Sequence, residues 1–389
     1  MKITSLTLYK VKPRWVFLKI ETDEGITGWG EPIVESRADT TITAVKEFEP
    51  FLIGEDPARI EHLFQLMYRG TFYRGGPVLM SAISGIEQAL WDIRGKALGL
   101  PVYELLGGAV RDKIKAYAWL GGDDAWLGSD IHKRAREDAE GRLEQGFRNV
   151  KMNATGSTAR IGSYKEIDLA VNRVGAVREA VGPDVGIGVD FHGRVHKSMA
   201  KTLVKALEPL RPMFYEEPLL PEHLDFLGEL SGHTAIPLAT GERLYGRWGF
   251  KELISSGTVD LIQPDLSHAG GIWECRKIAA MAEAYDMGIA PHCSLGPIAL
   301  GASVQLDACT PNFVIQEMSL RMHYNDTGDL LDYIKNKDVF DVADGYLSLP
   351  QLPGLGIEID EEAVIEADKE GFPPVQRDWL HDDGSVAEW

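Results

Sequence analysis

From residue 114 onward the chain alternates between two hydrophobic patterns. Short apolar runs, all but the first ending in a polar residue, recur eight times: IKAYAWL (114–120), NVKMN (149–153), VGIGVD (185–190), PMFYEE (212–217), IPLATGE (236–242), VDLIQPD (259–265), MGIAPH (287–292) and NFVIQE (312–317). Short apolar runs bounded by polar residues read as buried strands. Seven stretches with helical spacing lie between them, AEGRLEQGF, IDLAVNRVGAVREAV, MAKTLVKALEPL and GIWECRKIAAMAEAYDMG being the clearest. Their apolar positions recur at i, i+3, i+4 and i+7. Strands alternating with helices make β-α units and a parallel sheet, and eight such strands close into a barrel.

Residues 1–113 follow another pattern. SLTLYKV, RWVFLKIETDEG and GITGWGE predict antiparallel strands with a turn at Asp23-Glu24-Gly25, and helical spacing follows near 37–52, 57–69 and 79–98. The expected organisation is an α+β domain over 1–113, an α/β barrel of the TIM type over 114–352, and a segment over 353–389. That segment is punctuated by Pro and Gly, then acidic, and is expected to pack back on the first domain.

The spacing of the runs carries the chemistry. Asp190, Glu216, Glu242, Asp265, His292 and Glu317 follow one another at intervals of 26, 26, 23, 27 and 25 residues. That interval is one β-α unit, so six ionisable residues occupy the same place in six successive units. The place is the C-terminal end of the strand, where barrel active sites are built.

Asp190, Glu216 and Glu242 are expected to converge from three neighbouring strands. Carboxylates gathered in a low-dielectric pocket repel one another unless a cation joins them. An all-oxygen set suits a hard ion, Mg2+ before Mn2+ or Ca2+. A single acid at such a place often caps the following helix; three in succession point to a metal centre. Asp265 and His292 end adjacent strands, roughly 4.8 Å apart, so a carboxylate–imidazole hydrogen bond is expected. It would fix the tautomer of His292 and suit it to act as a general base.

His192 lies two residues after Asp190, hence on the same side of an extended strand. It is expected on the opposite side of the carboxylates from His292, as a second proton-transfer group; a loop histidine is the plainer alternative. Lys151 would bring positive charge to an anionic intermediate, or bury its stem and solvate its head. Glu317 would donate a hydrogen bond if protonated, hold a neighbour, or form a structural ion pair. His268, in DLSHAGG, is a weaker candidate and enters no mechanism.

Magnitudes decide what the cation is for. One general acid or base contributes on the order of 10²- to 10⁴-fold, whereas enzymes lower barriers by ~8 to 23 kcal/mol. Two histidines alone are not enough to form an enediolate, so electrostatic stabilisation by the cation carries the larger share. The set points to proton abstraction next to a carboxylate.

Bulk properties exclude several classes. With 44% hydrophobic and 25% charged residues the 389-residue chain is neither disordered nor fibrous. No apolar run reaches the roughly 18 residues needed to cross a bilayer. MKITSLTLYKVK alternates like a strand and lacks the apolar core of a secretion signal, which makes the cytoplasm the expected location. Cys275, Cys293 and Cys309 give neither a disulfide framework nor zinc spacing. The net charge of -19 argues against nucleic acid and anionic membranes as partners, and requires a local positive centre for an anionic substrate.

The set Lys151, Asp190, Glu216, Glu242, Asp265 and His292 resembles the enolase superfamily, mandelate racemase subgroup. The motifs PRWVFLKIETDEG, FYRGGPVLMSAISGIEQALWDIRGK, VDFHGRV, QPDLSHAGG, APHCSLGPIAL, PGLGIEIDE and SVAEW are similar to it as well. The likeness covers nearly the whole chain, most weakly between 121 and 165. It implies an enolase-like fold, a modified (β/α)7β barrel with an N-terminal α+β capping domain, and one Mg2+ held by Asp190, Glu216 and Glu242. It implies that His292, paired with Asp265, takes the C2 proton of a small acid sugar. His192 then acts as acid on the departing C3 hydroxyl, and Glu317 hydrogen-bonds the enolate or the substrate carboxylate. The implied product is a 2-keto-3-deoxy sugar acid, and the implied assembly a homo-oligomer.

Racemases of this subgroup carry Lys-x-Lys on the second strand, where this chain has Lys151-Met152-Asn153. That departure favours a dehydratase using His192 over a two-base racemase. An epimerase, which would exchange C2 with solvent without losing water, and a non-catalytic scaffold stay open. So does the identity of the acid sugar, gluconate and mannonate included. Specificity is expected from capping-domain loops around Arg14 and FYRGGP.

Overall fold

Strands β1 (Ile3–Val11), β2 (Trp15–Thr22) and β3 (Thr27–Gly30) form an antiparallel sheet in the order β1-β2-β3. This computed structural model describes residues 1–121, 130–156, 158–374, 379–381 and 383–388. The predicted turn is present: Gly25, at φ +76, donates to the Thr22 carbonyl. Side chains of β2 divide between two cores, Val16 going with its neighbours Trp15 and Phe17. Leu18 and Ile20 join the core under the capping helices, while Trp15 and Phe17 join the core shared with the barrel.

Helices α1 (Ala38–Leu52), α2 (Ile60–Arg69) and α3 (Pro77–Leu98) cover the sheet. Helix α3 begins with Pro77 in its first turn and ends at Gly99 in the left-handed conformation, the expected asymmetry of helix ends. It crosses β3 so closely that a Cβ on Gly30 would stand 1.8 Å from the Gly85 carbonyl oxygen. The short α4 (Val102–Leu105) leads into the barrel.

Eight parallel strands follow: β4 (Lys113–Trp119), β5 (Asn149–Asn153), β6 (Gly186–Asp190), β7 (Phe214–Glu216), β8 (Leu238–Thr240), β9 (Leu261–Ile262), β10 (Gly288–Ile289) and β11 (Gln316–Met318). Seven helices separate them: α5 (Ile131–Glu144), α6 (Tyr164–Val181), α7 (Lys197–Leu207), α8 (Leu227–Ser231), α9 (Gly246–Ser256), α10 (Ile272–Glu283) and α11 (Pro297–Cys309). Each strand pairs with its successor through β10, and β11 returns to β4 with Glu317 opposite Tyr117. The expected fold class, a (β/α)7β barrel behind an α+β capping domain, is thus observed.

Two features differ from the pattern-based expectation. The later strands are short, so Glu242, Asp265 and His292 lie two or three residues beyond β8, β9 and β10. A hairpin of β12 (Val342–Ala343) and β13 (Tyr346–Ser348) also pairs antiparallel with the start of β4. Strands of two and three residues leave too little pattern to predict.

Of the C-terminal segment, helix α12 (Glu361–Glu370) lies against β1 and β2 of the capping sheet. Its Asp368 accepts the Lys10 amide at 2.6 Å, and Glu361 pairs with Lys19 at 2.7 Å. Trp379 reaches the barrel instead, its ring 4.7 Å from the Arg194 guanidinium. Among the described residues no helix is long and apolar enough to cross a membrane.

Candidate active site

The C-terminal ends of the barrel strands open into a cavity of about 180 Å³ beneath the capping domain. Asp190, His192, Glu242 and His292 line it, together with Trp119 and Tyr324. A neighbouring cleft of about 290 Å³ shares Glu35 and Tyr324 with it.

Lys151, the middle residue of β5 rather than its end, is fully buried among carboxylates. Its ammonium lies 2.8 Å from Glu317 and 3.6 Å from Asp190, and donates to Glu216. The ring of Trp119 lies 4.5 Å away. Burial alone would lower its pKa, but the surrounding carboxylates hold it well above the usual lysine value. The ammonium therefore stays charged, with no solvated head.

Asp190 and Glu216 face each other across β6 and β7 in register. Asp190 Oδ1 accepts the His192 amide at 2.6 Å. Its Oδ2 and Glu216 Oε2 are buried without a hydrogen-bond partner. Burial raises the pKa of both, Glu216 well above the ordinary range. Glu242 is pushed up to about 7, chiefly by burial, against the opposing charge of His292.

As the side chains stand, among the described residues no three His, Cys, Asp or Glu are gathered tightly enough to hold an ion. Lys151 reaches between Asp190 and Glu216, while Glu242 lies 3.5 Å from His292. The donor set still fits a hard cation. It offers only carboxylate oxygens, two of them orphaned in a buried site, and a buried polar atom without a partner is costly.

His292 Nδ1 lies 2.7 Å from Asp265 Oδ2, and Asp265 Oδ1 accepts the Ser267 amide at 2.6 Å. Burial pushes the Asp265 pKa up, but His268, His292 and that amide outweigh it and keep it low. The Asp265 carboxylate is therefore the acceptor, which leaves His292 Nε2 facing Glu242 at 3.5 Å and Glu317 at 3.8 Å. Burial would depress the imidazole pKa; Glu317, Glu242 and Asp265 instead raise it to about 10. To take a proton His292 would have to be neutral, which the charges of Glu317 and Glu242 oppose as the side chains stand.

Glu317 accepts from Trp119 Nε1 at 2.5 Å, from the Cys293 amide at 2.8 Å and from Lys151. Burial opposes its ionisation, but Lys151 and His292 lower its pKa overall. It therefore acts as an acceptor that holds its neighbours, and the donor form considered from sequence is disfavoured.

His192 reaches the cavity by another route than expected. β6 ends at Asp190, and His192 stands in a left-handed turn at φ +54. The strand-alternation argument does not apply there; the turn brings the ring into the cavity. His268 also lines the cavity, bonded through Nδ1 to Ser81 at 2.8 Å. Arg14 donates to the Ser294 carbonyl at 2.7 Å and pairs with Glu35, bracing the cavity wall from the capping side. Of FYRGGP, Pro77 lines the cavity while Phe72 and Tyr73 are exposed.

Sequence reasoning passed over Trp119, Arg194 and Arg243. Arg243 pairs with Glu217, whose carboxylate also accepts the Gly241 amide at 3.0 Å and so shapes the loop carrying Glu242. Adjacency was the available signal: Arg243 follows Glu242, Glu217 follows Glu216, and Arg194 follows His192 by two residues.

Comparison with known proteins bears on this architecture. The family model for the mandelate racemase / muconate lactonizing enzyme N-terminal domain matches residues 3–107. The enolase C-terminal domain-like family model matches residues 134–363. Curated D-galactonate dehydratases of Ralstonia pickettii and Variovorax paradoxus are 54% and 55% identical over the full length of both chains. An enolase crystal structure from Agrobacterium radiobacter, with Na and L-malate bound, is 34% identical with a TM-score of 0.90 over the full length of both chains. The chain belongs to the enolase superfamily, in its mandelate racemase and muconate lactonizing enzyme branch.

Proposed function

We propose that this protein dehydrates D-galactonate to 2-dehydro-3-deoxy-D-galactonate and water, with Mg2+ held by Asp190, Glu216 and Glu242. The observation that supports the reading most is one cavity lined at once by two of these carboxylates, by His292 and by His192. The relatives that match over the full chain carry the galactonate dehydratase name, and the motifs quoted above resemble that enzyme most closely.

The bound cation would supply electrostatic stabilisation for the charge that develops on the substrate carboxylate. His292, oriented by Asp265, takes the C2 proton at Nε2 and leaves an enediolate. Lys151, fixed by Glu317, sets a positive charge at the floor of the site. The C3–O bond breaks as the electron pair at C2 forms the C2=C3 double bond, and His192 passes a proton to the leaving oxygen, which departs as water. The resulting enol then tautomerises to the 2-keto acid.

A panel of acid sugars incubated with the protein and Mg2+, monitored for 2-keto acid, tests the reading. D-galactonate is expected to be consumed fastest. Formation of no 2-keto acid from any of them, or C2 exchange without water loss, would overturn it.

A further inference from the structure

Arg194 holds His192 from behind. The loop after β6 turns back on itself: Gly193 donates to the Glu217 carbonyl at 2.9 Å, and Arg194 to the Phe191 carbonyl at 3.1 Å. The turn sets Arg194 Nη2 at 2.8 Å from His192 Nδ1. A guanidinium has five donors and no acceptor. Nδ1 is therefore the acceptor, and the ring proton sits on Nε2.

Although it belongs to a loop at the barrel mouth, Arg194 is 0% exposed. The C-terminal segment covers it, with the Trp379 ring 4.7 Å from the guanidinium. Trp379 is itself held: its carbonyl accepts the Ala387 amide at 2.9 Å, and Leu380 bridges to Val386. Stacking on an aromatic face leaves the in-plane N–H groups of arginine free to bond.

We propose that Arg194, clamped by Trp379 of the C-terminal segment, is a positioning residue for His192. It sets the Nε2–H tautomer and holds that proton toward the cavity shared with His292; once the proton has passed to the departing oxygen, the guanidinium at Nδ1 faces the imidazolate left behind and offsets its charge. The kinetic consequence rests on the dehydratase reading above; the tautomer does not. Losing the partner that sets a catalytic tautomer costs up to about 10⁴-fold in rate.

Two measurements decide. Nitrogen-15 NMR of histidine-labelled protein, with His192→Asn to assign the signal, is expected to show the Nε2–H tautomer in the unaltered chain and a mixture in Arg194→Met. The same mixture in both would overturn the assignment. With D-galactonate and Mg2+ in D2O, Arg194→Met should slow water loss about 100-fold or more while C2 exchange stays within several-fold. Arg194→Lys, which keeps an N–H donor, should recover at least about tenfold of that loss, and Trp379→Ala should shift the same balance less. Equal loss of exchange and elimination, or no difference between Lys and Met at position 194, would overturn the positioning role. Unaltered protein that releases no water would sink the dehydratase reading, with the NMR tautomer still deciding the role of Arg194.

Discussion

The carboxylate of Glu31 accepts the backbone amide of Gly296 at 2.7 Å. Its other oxygen accepts the Ala299 amide at 2.9 Å, so a capping-domain acid caps barrel helix α11. Glu87 of α3 does the same for α10, accepting Ile272 and Trp273 at 2.7 and 2.8 Å. Negative charge is favoured at helix N-termini. The loops just before these helices carry Asp265 and His292, so the seating of the capping domain also fixes the proposed base and its partner.

This seating predicts a pH dependence of stability. Burial raises Glu31 and Glu87 from 4.5 to about 8, against the opposing backbone donors. With the folded value above the unfolded one, the folded chain binds more protons between those limits. Stability is then lost as pH rises from about 4.5 to 8 and levels off above, at up to ~1.4 kcal/mol per pH unit for each group. Glu31→Gln and Glu87→Gln should each flatten that slope in denaturant unfolding followed from pH 5 to 8. Slopes identical to the unaltered protein in both variants would contradict it.

The Asp265–His292 pair predicts a specific loss. Asp265→Asn exchanges an acceptor for an amide that can present its donor to Nδ1, which favours the wrong tautomer of His292. Deuterium uptake at C2 should fall by about 10²- to 10⁴-fold, and His292→Asn should abolish it. Near-normal uptake in either variant would remove His292 as the base.

How far these features were legible in the sequence depends on what set them. The barrel was readable because eight apolar runs repeat with every β-α unit and Asp190, Glu216 and Glu242 follow one another at an even 26 residues. The β12–β13 hairpin was not, since five strand residues make no pattern. The way His192 enters the cavity depends on a left-handed turn, and VDFHGR carries no signal of it beyond Gly193. Glu31 and Glu87 were invisible as caps because their helices, α11 and α10, belong to the other domain. Arg194 stood in plain view, but its partner Trp379 is 185 residues away in the chain.

Lys151 should prove structural as well as chemical. Lys151→Met would leave Asp190, Glu216 and Glu317 buried without their shared cation, and breaking a buried ion pair from one side costs about 3–5 kcal/mol. The unfolding midpoint without metal should fall accordingly, and Mg2+ should restore part of it. An unshifted midpoint would mean that the carboxylates are protonated together in the folded protein.

The carboxylates themselves give the last test. Glu216 Oε2 and Asp190 Oδ2 are buried without a hydrogen bond, and replacing either acid with its amide removes a charge without changing shape. Glu216→Gln should weaken Mg2+ binding by more than about 100-fold, ~2.7 kcal/mol, in titration calorimetry. Glu35→Gln, which alters an acid of the same cavity outside the three, should leave the affinity within a few fold. Equal losses at positions 35 and 216 would mean that Mg2+ responds to the net charge of the cavity rather than to three defined ligands. The roles of Asp190, Glu216 and Glu242 would then have to be reassigned.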